Sequence, residues 1–159
     1  MSKQITLDLG IKTFDIMDAD GNVTGTVRFN PSDPGFPGRL QQTEKIVDEY
    51  RQKISDMKSS GAPDIDQLMV LMEASDAIKN SFDYAFAAPV SQVFFGGNSV
   101  FAMTDNGRTL LENVTESMAP IIEDAIKTAV EKSKARMENH TSSYQGTTKG
   151  LAPDQVLQS

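Results

Sequence analysis

The sequence predicts a mainly α-helical fold with a small N-terminal β-hairpin, an α+β chain whose body is an antiparallel bundle of three long helices. Three observations carry this. Apolar and polar residues alternate on both sides of Asp20-Gly21, apolar residues recur at steps of three and four in three later stretches, and prolines and glycines separate those stretches. At 159 residues the chain is long enough for one moderate core and too short for two. It therefore reads as a single domain over residues 1–138, with the hairpin at 12–30 and the helical body at 34–138. A tail over 139–159 completes it.

In the hairpin, Phe14 and Ile16 share a face of the first arm and Val23, Val27 and Phe29 lie in the second. Asp20-Gly21 supplies the positive φ angles of a tight turn. An isolated hairpin is marginal in water, so its apolar face must rest on the helices or on a neighbouring subunit. Pro31, Pro34 and Pro37 then make a stiff connector, because each denies a backbone donor and restricts the residue before it. Leu40, Thr43, Val47, Tyr50, Ile54 and Met57 give one narrow stripe on a first helix of about 20 residues. Gly61 and Pro63 end it. A second helix is expected from Asp64 to Ala88, with Leu68, Leu71, Met72, Ser75, Ile78, Phe82, Ala85 and Phe86 inward and Pro89 as its stop. Val90–Phe94 adds one further turn before Gly96-Gly97-Asn98 breaks the structure. The last helix is expected to start near Asp105–Arg108, with Asp105 or Asn106 as its cap, and to run to about Met137 with a kink or brief break at Pro120. Residues 139–159 lack apolar periodicity and are expected to be disordered in the isolated protein, with Val156 and Leu157 as a small docking motif the alternative.

Composition narrows the function classes. The formal net charge of -7 opposes binding to nucleic-acid phosphates. No apolar run approaches the length that crosses a bilayer, and MSKQITLDLGIKTFDI lacks a signal peptide's apolar core, so no membrane contact and a cytosolic location are expected. The N-x-[ST] matches at Asn22, Asn113 and Asn139 then carry no glycosylation. There are no cysteines and a single histidine, His140, which leaves no thiolate chemistry, histidine triad or multi-histidine metal site. Asp18-Ala19-Asp20-Gly21-Asn22 begins like a calcium loop, but with Gly21 in the sixth position the first and twelfth positions fall on Ile16 and Val27, which carry no carboxylate. Glu112 with Glu116, Glu123 with Lys127, and Asp48-Glu49 between Lys45 and Lys53 read as solvated helix faces. No cofactor, metal site or catalytic group is expected, and the chain is not read as an enzyme.

One phrase resists a purely structural account. Val93–Phe101, VFFGGNSVF, places three of the chain's eight phenylalanines around a double glycine. It fits neither GxxxxGK[ST] nor GxGxxG, and no lysine follows the glycines. Two readings stand: a helix terminator whose phenylalanines return to the core, or an exposed aromatic ledge that another protein covers. The candidate partner-binding residues are Phe94, Phe95, Val100, Phe101 and Tyr50.

The hairpin running into FNPSDPGFPGRLQQTEKIVDEY, and VFFGGNSVF ahead of a helix with Gly107 and Arg108, resemble the small tail assembly chaperones of long-tailed phages of Firmicutes. The likeness covers roughly residues 11–138. It implies a non-enzymatic protein of the infected host cytoplasm that binds the helical tape measure protein and helps recruit tail tube subunits. The stripes at 40–57 and 68–86 would then accept a helical partner or a sister copy in a homo-oligomer. The alternatives are a structural tail or virion component, and an inhibitor or trigger of a bacterial defence system.

Overall fold

The computed structural model describes residues 2–147, with side chains through Asn139. The element order is β1 (Lys12–Met17), β2 (Val23–Phe29), α1 (Gly35–Ser59), α2 (Asp64–Phe86), α3 (Ser91–Phe95) and α4 (Leu110–Thr147). The fold is mainly helical, as the periodicity predicts, but with four helices instead of three, because α3 stands between α2 and α4.

The hairpin forms where the Asp-Gly pair sits. Lys12 pairs with Phe29 and Phe14 with Val27, and an irregularity between Ile16 and Met17 shifts the last pair to Met17 with Val23. The Asp18 carboxylate accepts the backbone N–H groups of Asp20 and Asn22, and Gly21 adopts φ +86°. Those hydrogen bonds, chiefly the one from Asn22, hold the Asp18 carboxyl below its ordinary range.

The connector is clamped at both ends. Asp33 accepts from the Gly35 N–H at the start of α1 and from the Arg39 guanidinium at 2.7 Å, while Arg39 Nε donates to the Ala85 carbonyl near the end of α2. Farther along, the Thr43 hydroxyl donates to Ser81 Oγ at 2.7 Å, since the Ser81 proton goes to the Ile78 carbonyl. Thr43–Ser81 and Arg39–Ala85 keep a constant index sum, so α1 and α2 pack antiparallel. This is the pair of long helices in extensive backbone contact. The expected three-helix bundle is thereby corrected: α4 meets the rest through the side chains of Leu111, Val114 and Met118 instead of lying along α1 and α2.

The ends of α2 and α4 also depart from expectation. α2 stops at Phe86, because Ala87 takes the left-handed conformation, φ 54°, and the Ala88 N–H turns back to the Asp83 carbonyl. α4 begins at Leu110, where the Glu112 N–H donates to Thr109 Oγ1. Neither Asp105 nor Asn106 caps it. Asn106 instead accepts the Arg108 N–H, and Asn113 Nδ2 donates to Thr104 Oγ1, closing the loop ahead of the helix. The helix is unbroken at Pro120, which lies on an exposed face beyond the exposed Glu116, so water can serve the carbonyl that proline leaves without its helical donor. It passes Met137 and continues to Thr147. The part of the expected disordered tail over 148–159, with Val156 and Leu157, lies outside the described residues.

The core is largely phenylalanine. Phe14, Phe29, Phe36, Phe82, Phe86, Phe94 and Phe95 form one connected set of ring contacts, with centroids 4.8–6.3 Å apart. That set joins the hairpin, both helices of the pair and α3. Phe101 is the one phenylalanine outside it.

Candidate functional site

The fate of VFFGGNSVF follows from how its backbone is held. Val90–Phe94 turns into α3, whose first turn is fixed by the Asp83 carboxylate accepting both the N–H and the hydroxyl of Ser91, at 2.8 and 2.9 Å. Gly96, at φ +59°, ends the turn, and the chain then doubles back so that Val100 is buried. Its N–H donates to Ser75 Oγ at 3.0 Å and its carbonyl accepts from Leu111 at 2.9 Å. The segment is a corner stitched to α2 on one side and to α4 on the other.

This geometry sorts the five candidate residues. Phe95 and Val100 are buried in the core, so they leave the partner-binding set. An aromatic ring of that size cannot be offered to a partner without unpacking its neighbours. Phe94 is half-buried between the core rings and a trough beside β1. Tyr50 and Phe101, 51 positions apart, are brought together. Both line a cleft of about 340 Å³ between α1, α2 and the corner, with Val47, Ile54 and Leu71.

Next to this cleft lies an unpartnered helix face. Ile65, Leu68, Met69 and Met72 are each more than half exposed, and their spacing of three, four and seven places them in one stripe. Leu71, which lines the cleft, is one turn on from Leu68, so stripe and cleft are neighbours. The expectation that Leu68 and Met72 point inward is corrected: Val70 and Ala74 are buried in their stead, beside the expected Ser75. Two methionines in the stripe give it adaptable, unbranched side chains. Asp66 and Glu73 lie exposed on the same turns and border it with negative charge.

A second apolar concavity, about 970 Å³, lies between Pro34 and Pro37 of the connector and Ile126, Ala129, Val130 and Met137 on the second half of α4. Among the described residues no group of three potential ligands is placed to hold a metal ion, and no helix is long and apolar enough to cross a membrane. Glu112, Glu116, Glu123 and Lys127 are exposed on α4, and Glu116 pairs with Arg108. Charged side chains join the apolar lining of both clefts: Arg51 and Lys58 in the first, and Asp33, Lys134 and Glu138 in the second. The His140 side chain lies outside the described set.

Two features of the surface escape the sequence reading. The stripe at 65–72 is masked because apolar residues surround the helix there, which leaves its inward side undefined until α1 is placed. The cap at Thr109 did have a signal, Thr109-Leu110-Leu111-Glu112, the spacing of a capping box. The chain matches no protein-family model, and no curated protein or solved structure matches it either.

Proposed function

We propose that this protein is a tail assembly chaperone of a long-tailed phage, which binds the helical tape measure protein in the host cytoplasm and promotes assembly of tail tube subunits around it. The likeness of the hairpin, the proline connector and VFFGGNSVF to that family motivates the reading. The observation that carries it is the exposed Ile65–Leu68–Met69–Met72 stripe beside the Tyr50–Phe101 cleft, an apolar surface at helical spacing. A partner helix laid along it would place anchors every three or four residues. Negative charge at its border favours a partner with Lys or Arg flanking its apolar positions.

Co-expression with the tape measure and tail tube proteins of the same phage tests this reading. The expected result is co-purification with the tape measure protein and absence from finished particles. Retention in particles without tape measure binding would overturn it and favour a structural tail component.

A further inference from the structure

The segment ahead of β1 has the pattern of a strand but no sheet to belong to. Ile5, Leu7, Leu9 and Ile11 alternate with Gln4, Thr6, Asp8 and Gly10, which gives the segment one apolar face if it is extended. Their exposures are 84%, 68%, 58% and 42%. No residue from 2 to 11 is paired in the sheet, which has two strands among the described residues. Four adjacent aliphatic side chains on an unpaired backbone form a strand lacking its partner.

The same chain carries a place of matching shape. The outer edge of β1 bears no strand, and beside it run two clefts of about 450 and 350 Å³. Both are lined by Phe14 and Ile121, so they form one trough. Val114 and Met118 floor one end and Ala125 the other, all on α4. A strand added to β1 would complete its ladder and lay alternate side chains over this floor. β1 has six residues and the segment from Lys3 to Leu9 has seven, each about 20 Å long.

The segment cannot enter its own trough in this structure. The Leu9 carbonyl accepts from Asn30 Nδ2 at 3.1 Å, and Asn30 follows Phe29, the β2 partner of Lys12. The chain is therefore tied on the β2 side, away from the open edge of β1. Gly10, at φ +67°, makes the bend there, and a side chain on it would meet Asn30. Pairing in cis would break this tie and reverse the chain within Gly10 and Ile11.

We propose that the segment over residues 3–9 adds as a third strand to the β1 edge of a second copy of this chain, with Ile5, Leu7 and Leu9 over the α4 trough. The area supports a reciprocal dimer. At about 30 Å² per methylene-sized group, the exposed parts of Ile5, Leu7 and Leu9 present roughly 250 Å². Two exchanged segments, each covering an equal area of its partner, give about 1,000 Å² of apolar surface before any backbone is counted, the size at which specific interfaces begin. This inference does not depend on the proposed chaperone role.

The absence of cysteine makes the test direct. Leu7→Cys in one copy and Ser117→Cys in another, mixed and oxidised, are expected to form a mixed disulfide, since Ser117 lines the trough. By light scattering at high micromolar concentration the unmodified chain is expected at twice the monomer mass. Leu7→Asp and deletion of residues 2–8 are both expected to halve that mass with no loss of helical circular dichroism. A monomeric unmodified chain, a mass unaltered by the deletion, or a disulfide formed within one chain carrying both cysteines would each overturn the proposal.

Discussion

Replacing Ser75 by alanine removes one oxygen from the middle of α2 and leaves the N–H of Val100 without its acceptor. Val100 is fully buried and Ser75 nearly so, so water has no ready access to the vacated donor. The hydroxyl itself is a weak contributor. The cost comes from the stranded amide, about 1–3 kcal/mol for a buried unsatisfied group. With about 2 kcal/mol as the central value, the melting temperature of a chain of this size should fall by about 4–8 °C. Urea unfolding followed by circular dichroism measures it, with a lower midpoint and an unchanged slope expected. A change under about 0.5 kcal/mol, the ordinary range for a surface substitution, would refute the claim that this hydrogen bond stitches the corner to α2.

Other perturbations address the remaining joints. Ala87→Gly should raise stability by about 0.5–1 kcal/mol, because the left-handed conformation that ends α2 strains alanine and not glycine; thermal melting checks it. Phe95→Ser should cost at least about 3 kcal/mol and leave little folded protein, whereas Phe101→Ser should cost roughly 1 kcal/mol and remain folded with weakened tape measure binding. Expression yield, circular dichroism and co-purification separate the two. For Asp33, the Arg39 hydrogen bond first and the Gly35 N–H second hold the carboxyl below the usual 3.8. A depressed carboxyl stabilises the fold above its unfolded pKa and loses that contribution as the pH falls through the folded value, so the clamp should weaken below about pH 4. Because the pair is partly solvated, the loss should be about 1 kcal/mol or less, and urea midpoints from about pH 6 to about pH 3 should show it in the parent and not in Asp33→Asn.

The parts legible in the sequence are those decided within a few residues. Asp20-Gly21 between alternating arms could form little else, and Gly61 with Pro63 ended one helix and began another close to the expected residues. Phase around a helix is a different matter. In α2, Ile65, Leu68, Met69, Val70, Leu71 and Met72 surround the axis, so periodicity finds the helix without saying which side α1 will cover. The outcome was decided by the crossing at Thr43 and Ser81, where two small hydroxyl side chains meet. Asp105 and Asn106 look like caps for α4, yet Asn106 spends its oxygen on Arg108 and leaves the helix to Thr109. Long-range meetings had no local signature. Tyr50 and Phe101 share a cleft only because α1, α2 and the glycine corner converge, and neither residue's neighbours announce it.

The candidate site was thus legible in part. VFFGGNSVF was recognisable as a corner with surplus apolar residues. Its Phe95 and Val100 close the core, while Phe101 turns away from the other seven phenylalanines toward Tyr50. Burial of that kind depends on which side of the corner faces α2, which the Ser75–Val100 hydrogen bond decides.

Hydrogen–deuterium exchange of the protein alone and in complex with the tape measure protein tests the central claim most directly. The account predicts new protection concentrated in residues 64–72 of α2 and in 50–58 of α1, beside the stripe and the cleft. Binding that leaves both segments unprotected, or no binding at all, would contradict it.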